Sequence, residues 1–195
     1  MKKWLPAILI IAFLGLIGLF VANLNNVLVT LEEKAEAQWG NVESAYQRRA
    51  DLIPNIVNTA KGYAEFEQET LTQVIEARSR ATAVNIDPSN ITPEQLEQFQ
   101  NVQSGLSSAL SRLLAVFERY PDLKANENFK ELINELERTE NRINVERNRF
   151  NEAVLPYNTK LKKFPNTFFA GILGFEEKAY FKSQEGSEQA PVVEF

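Results

Sequence analysis

The sequence predicts an all-α fold, in which one N-terminal transmembrane helix is followed by an antiparallel helical bundle of three long helices and a short fourth. Residues 4–22 form an apolar run without a charge. The stretches after it repeat apolar residues at helical spacing, and none alternates them as a half-buried strand does. We expect an N-terminal tip and anchor at 1–25, a helical bundle at 26–181 and a flexible C-terminal tail at 182–195.

The apolar run from Trp4 to Ala22 has the length of a membrane span. As a helix it measures about 28 Å, close to the thickness of the hydrocarbon core of a bilayer. A cleaved signal peptide is the alternative, since the basic start at Lys2 and Lys3 suits either interpretation. A cut after Ala22 would place Phe20 where a small residue is needed, so we favour an uncleaved anchor.

The basic residues that flank the run predict its orientation. Lys2 and Lys3 precede it, and Lys34 is the first basic residue after it. The side richer in lysine and arginine stays in the cytoplasm. We therefore expect a single-pass protein of the inner (cell) membrane whose bundle lies on the non-cytoplasmic side.

The composition excludes several kinds of chemistry. With 26 acidic against 21 basic residues, the formal net charge is −5, which argues against binding to nucleic acid. Cysteine and histidine are both absent, which removes thiolate chemistry and the commonest general base and metal ligand. A di-metal bundle usually needs Glu-x-x-His pairs, which this chain cannot supply. We expect no cofactor, no metal and no catalytic site, and hence a protein that is not an enzyme.

The first helical stretch after the anchor extends from about Asn26 to Ala83 and carries a heptad-like apolar stripe. Pro54 lies inside it and should kink or break the helix just before itself. Whether the stretch is one bent helix or two stays open. Trp39, Tyr46 and Tyr63 follow the stripe, so we expect core packing rather than an aromatic binding cleft.

Two further helices have clear start signals. Thr92 and Gln95 are spaced as a capping box with a proline between them, and this second helix should end at Tyr120, before Pro121. The third should run from a cap at Asn126 to about Lys163, with Pro156 interrupting a late turn. The apolar segment 168–175 is too short to span a bilayer and suits either a short capping helix or an interfacial segment.

Charged residues at inward positions form a candidate polar layer. Arg49 and Glu140 both fall on apolar stripes, and a charge inside a bundle is costly unless it is paired. We favour an interhelical ion-pair network that fixes helix register. A site for an anion or a partner carboxylate is the alternative. The candidate residues are Arg48, Arg49, Asp51, Glu140, Arg142 and Arg147.

The C-terminal tail is a second candidate for recognition. Val192, Val193 and Phe195 end the chain in a free carboxylate behind a polar linker. A PDZ-type groove binds such an end by strand addition and carboxylate capture. A frayed terminus without a role is the competing interpretation.

Several motifs resemble those of the LemA family over nearly the whole chain. They are Gln47–Asn55 (QRRADLIPN), Lys61–Tyr63 (KGY), Ala77-Arg78, Ala125–Phe129 (ANENF), Thr139–Ile143 (TENRI), Tyr157-Asn158, Phe164-Pro165 and Gly174-Phe175. The resemblance implies a bacterial membrane protein with an N-terminal anchor and a bundle of about four helices. It implies no particular reaction.

These observations favour a non-enzymatic scaffold or adaptor of the bacterial envelope. We expect it to contact the bilayer through Trp4–Ala22 and to bind envelope proteins, such as a membrane protease or a PDZ-type domain. Self-association is also expected, since heptad stripes pack between chains as well as within one. An envelope sensing module with a ligand site near Arg49 and Glu140 is the alternative function, and an uncharacterised enzyme is the least favoured.

Overall fold

A computed structural model describes residues 4–62 and 67–182, which fold into an all-α protein, as predicted. Over those ranges six helices follow one another and no strand forms. The helices are α1 (Leu5–Lys61), α2 (Gln68–Ala83), α3 (Pro93–Phe117), α4 (Pro121–Ala125), α5 (Glu127–Lys162) and α6 (Asn166–Leu173).

Helix α1 contains both the apolar run and the first helix of the bundle. It is continuous over 57 residues, which corresponds to about 85 Å. Among the described residues it is the helix that is long and apolar enough to cross a membrane. Leu24 and Leu28, just beyond the apolar run, are already buried. The anchor therefore passes into the bundle without a linker.

The other long helices pack along the part of α1 that follows the anchor. Helix α5 runs antiparallel to α1, since Arg48 pairs with Glu135 while Leu28 packs beside Tyr157. Helix α2 packs on α1 and on α3. Three apolar clusters follow one another away from the anchor: a proximal cluster around Leu28, a middle cluster around Trp39 and a distal cluster around Ile53, Val74 and Leu113.

Helix α1 does not break at Pro54, a point that the sequence left open. Helix α1 continues through it to Lys61, and the stretch predicted as Asn26–Ala83 is two helices. A proline lacks the amide that would bond the carbonyl four residues earlier. Here the carbonyl of Ala50 accepts a hydrogen bond from Arg78 Nε at 2.7 Å instead. Helix α5 likewise continues through Pro156 to Lys162.

The predicted helix starts are present. The Thr92 hydroxyl accepts from the Gln95 amide at 3.3 Å, and the Gln95 side chain accepts from the Thr92 amide at 3.2 Å. The Asn126 side chain accepts from the Phe129 amide at 3.0 Å. Helix α3 ends at Phe117 rather than at the expected Tyr120.

After α6 the chain returns along the bundle as an extended segment, residues 175–182, which we call the strap. Gly174, at φ 82°, makes the left-handed turn that ends α6. The Asn158 side chain donates to the carbonyl of Lys178 at 2.8 Å and accepts from its amide at 3.1 Å. Asn151 bonds the backbone of Phe181 in the same way. Two asparagines of α5 therefore hold the strap as a neighbouring strand would.

The role of Arg78 can be tested with Pro54. Arg78→Ala should destabilise the protein by about 1–3 kcal/mol, because it leaves the Ala50 carbonyl without its partner. In a Pro54→Ala background the loss should be smaller, because the new amide at position 54 can bond Ala50. Urea unfolding of the four proteins in detergent micelles measures the coupling, which should exceed about 0.5 kcal/mol. Equal losses in both backgrounds would contradict this explanation, and Arg80→Ala is a control on the same helix.

Candidate functional site

A groove between α3 and α5 is the largest concave surface of the bundle. It exists because α3 packs on α2 while α5 packs on α1. Its volume is about 1330 Å³. The walls of this α3–α5 groove are mostly hydroxyl, amide and carboxylate side chains, and the strap borders it. They include Gln100, Asn101, Ser104, Ser107, Ser108 and Ser111 on α3, Glu137, Glu140, Asn141, Asn144 and Arg147 on α5, and Tyr180 and Lys182 on the strap.

Arg49 of α1 lies at the floor of the groove with its side chain 1% exposed. Its Nη1 donates to Glu140 Oε1 at 2.7 Å and to Ser107 Oγ at 2.8 Å. Its Nη2 donates to Gln103 Oε1 at 2.5 Å. The guanidinium also lies over the ring of Tyr46, 5.1 Å from its centre. The two predicted inward charges, Arg49 and Glu140, therefore meet.

The Arg49 network connects all four long helices of the bundle. Gln103, which accepts from Arg49, donates its own side-chain amide to the carbonyl of Ala81 at 3.2 Å. Glu140 on α5 and Gln103 on α3 already occupy the terminal nitrogens of Arg49, so an anion would have to displace them. The geometry is that of an interhelical network of an ion pair and hydrogen bonds. Nε of Arg49 is buried and finds no acceptor among the described residues.

Two other predicted members of the polar layer, Arg48 and Asp51, lie elsewhere. Arg48 pairs with Glu135 at 2.6 Å on the outer surface. Asp51 is exposed and accepts from Gln47 at 2.8 Å. A residue next to an inward position on a helix is rotated by roughly 100°, which explains why the neighbours of Arg49 point away from it.

The two arginines of α5 differ in their relation to this network. Arg142 pairs with Glu146 at 3.0 Å. Arg147 donates to the carbonyl of Lys182 at 2.8 Å and lies over the ring of Phe181. The Arg147 side chain also forms a hydrogen bond with the hydroxyl of Tyr46, whose ring lies under Arg49. Arg147 therefore fastens the strap and stays beside Arg49, whereas Arg142 lies outside this network.

Lys178 of the strap is a buried cation that the sequence analysis missed. Its side chain is 3% exposed and pairs with Glu32 at 3.1 Å and Glu36 at 3.5 Å, both on α1. The carbonyls of Pro88 and Ser89 accept from the same ammonium group. The spacing of Glu32 and Glu36 puts both on one face of α1, which was a usable signal for a basic partner.

Glu146 of α5 is the third buried charge. It accepts from Gln38 of α1 at 2.8 Å and pairs with Arg142 and Arg149. Burial raises the pKa of this carboxyl group, but the Gln38 hydrogen bond and the two arginines outweigh it and hold the pKa below its ordinary value. Glu146 is therefore ionised at neutral pH. Arg49, Glu146 and Lys178 each connect α1 to a different part of the bundle.

The remaining candidate residues lie outside the residues that the structure describes. These are the tail residues Val192, Val193 and Phe195, and Tyr63 of the first stripe. Their proposed roles stay predictions from the sequence.

Comparison with known proteins agrees with this architecture. The sequence model of the LemA family matches residues 38–195. Magnetosome protein MamQ 2 of Paramagnetospirillum magneticum is 27% identical, over 96% of this chain and 75% of its own length. Magnetosome protein MamQ of Magnetospirillum gryphiswaldense is 27% identical, over 86% of this chain and 68% of its own. Protein LemA of Metamycoplasma hominis is 26% identical, over 90% and 78%.

Two substitutions distinguish a structural Arg49 from a binding one. Arg49→Ala should cost about 2–4 kcal/mol, because it leaves a cavity and unpaired groups at the floor of the groove. Arg49→Leu should cost less, because leucine fills the space and Glu140, which is about a third exposed, can be hydrated. Thermal and urea unfolding in micelles measure both.

Arg48→Ala is the matched control for these variants. Its ion pair with Glu135 is solvent-exposed, so this variant should unfold close to the unsubstituted protein. An Arg49→Leu variant as unstable as Arg49→Ala would contradict a purely structural role.

Proposed function

This chain belongs to the LemA family, and we propose that it is a membrane-anchored, non-enzymatic scaffold or adaptor of the bacterial envelope. The bundle would lie on the non-cytoplasmic side of the inner membrane and bind other envelope proteins through the α3–α5 groove. The observation that carries the proposal is the continuity of α1 from Leu5 to Lys61. A bundle built on the anchor helix holds a binding surface at a fixed height above the bilayer.

The α3–α5 groove suits a polypeptide partner. Its exposed walls carry hydroxyl and amide groups, among them Asn101, Ser104, Ser108 and Asn141, which donate and accept hydrogen bonds. It is open along its length and as long as several helical turns, since it extends from Pro93 to Leu114 on α3. A helix or an extended segment of another protein can lie in a groove of this kind.

The residues of the groove favour binding over catalysis. A serine nucleophile needs a neighbouring base, and Ser107 instead accepts a hydrogen bond from the guanidinium of Arg49. A guanidinium stays protonated and cannot take the hydroxyl proton. The chain has no histidine to replace it in that role.

An envelope sensing module is the second candidate function. Glu140 is about a third exposed at the groove wall, and Nε of the buried Arg49 lacks an acceptor among the described residues. An anion that displaced Glu140 would alter the contact between α1 and α5 and so reach the anchor. Isothermal titration with phosphate or acetate tests it, and a response that Arg49→Lys leaves unchanged would count against such a site.

A photo-crosslinking amino acid at Ser108 tests the adaptor proposal. Ser108 is exposed and lines the groove, whereas Thr72 on α2 is exposed outside it and is the matched control. In intact membranes we expect a discrete adduct from position 108 and none from position 72. The bulky change Ser104→Trp on the same wall should reduce its yield severalfold. Equal adducts at both positions, or an adduct that Ser104→Trp does not affect, would contradict binding in the groove.

A further inference from the structure

Helix α6 is apolar on two opposite sides. One side is covered: Ala170 is fully buried and Phe169 partly so, in the proximal cluster with Leu24, Leu28 and Tyr157. A short helix on the surface of a bundle normally presents polar residues on its other side. The other side of α6 does not.

The uncovered side consists of large apolar residues in one row. Phe164, Phe168 and Ile172 are spaced by four residues and are 92%, 66% and 69% exposed. That spacing puts Phe168 and Ile172 on one face of α6, and Phe164 precedes the start of the helix by two residues. We call this row the α6 face. An uncovered apolar patch of this kind marks a binding surface for another apolar surface.

The position of α6 identifies that apolar surface. The ring of Phe169 contacts the ring of Phe20 in α1, with centroids 5.6 Å apart. Phe20 belongs to the apolar run and stands about 3 Å before its end at Ala22. The covered side of α6 therefore lies beside the last turn of the membrane span. The uncovered side faces away from the bundle at the same depth, where hydrocarbon meets headgroups.

Basic residues lie on the N-terminal side of the α6 face. Lys160 and Lys163 precede it, and neither forms an ion pair within 4–62 and 67–182. Lysines beside an apolar face are typical of helices that lie in the membrane interface, where the ammonium groups meet anionic headgroups. Binding to another protein would not require the apolar residues and the lysines to lie at the depth of the membrane interface.

We propose that the α6 face docks into the same lipid leaflet from which α1 emerges, with Phe164, Phe168 and Ile172 inserted among the acyl chains. The partner of this face is the bilayer itself, because the face is continuous with the membrane-spanning part of α1. The inference rests on the anchor of the proposed function and is independent of the α3–α5 groove. The protein would hence be held at two points, and α1 could not rotate freely about its axis.

Spin labelling of the full-length chain tests the proposal directly. The sequence has no cysteine, so single cysteines at Phe168 or Ile172 can be labelled without other changes. In nanodiscs of phosphatidylethanolamine and phosphatidylglycerol, we expect both labels to be relaxed more by oxygen than by a water-soluble nickel chelate. Circular dichroism melts identify any label that disturbs the fold. The independent variant Phe168→Ser should leave the melt unchanged while lowering the oxygen accessibility of a label at Phe164 severalfold.

Two control labels separate the outcomes. Asn148→Cys on the exposed side of α5 should favour the nickel chelate, and Leu14→Cys in the span should favour oxygen. Labels at 168 and 172 that behave like the one at 148, while the one at 14 behaves as membrane-buried, would overturn the α6 proposal alone. A label at 14 that favours the chelate would overturn the anchor as well. Labels at 168 and 172 shielded from both reagents would indicate a protein contact and also overturn lipid docking.

Discussion

The uninterrupted backbone of α1 is the constraint on which the rest of the structure depends. Each apolar cluster takes residues from it: Leu28 for the proximal cluster, Trp39 for the middle one and Ile53 for the distal one. Because the same helix begins in the membrane, the bundle cannot tilt freely against the bilayer. Tilting would break helical hydrogen bonds or open the proximal cluster, in which Leu24 and Leu28 are already buried. The anchor thereby becomes part of the core.

Buried charges specify how the other elements align with α1. Apolar packing alone tolerates slippage along a heptad-like stripe, whereas a buried ion needs its partner at one register. Arg49 meets Glu140 on α5, Gln38 meets Glu146, and Glu32 and Glu36 meet Lys178 on the strap. The three contacts lie at successive heights along α1, between Glu32 and Arg49, so they align α5 and the strap with this middle part of the helix. Helix α3 is held through α2 and the Arg49 network rather than by direct packing along α5. The α3–α5 groove therefore stays open.

Local signals in the sequence were sufficient to predict the helices and one buried contact between them. The capping box at Thr92 and the cap at Asn126 depend on side chains within three residues, and Arg49 and Glu140 interrupt apolar stripes. Distant partners were harder to predict. Arg78 on α2 compensates for Pro54, and because this partner is distant in sequence, the sequence left open whether the helix breaks at the proline. The strap has no periodicity, since asparagine side chains of α5 supply its hydrogen bonds, and Lys178 therefore looked like one more surface lysine.

A rigid connection between membrane and bundle is the central claim, and a distance measurement tests it most directly. Ala22 and Asn58 are exposed positions on α1, near the end of the span and near the far tip. Spin labels there, in full-length protein in nanodiscs, should be separated by about 54 Å along a continuous helix. Double electron–electron resonance should give one narrow distribution near that distance. A broad distribution or a much shorter mean would show a joint within α1 and contradict the rigid anchor.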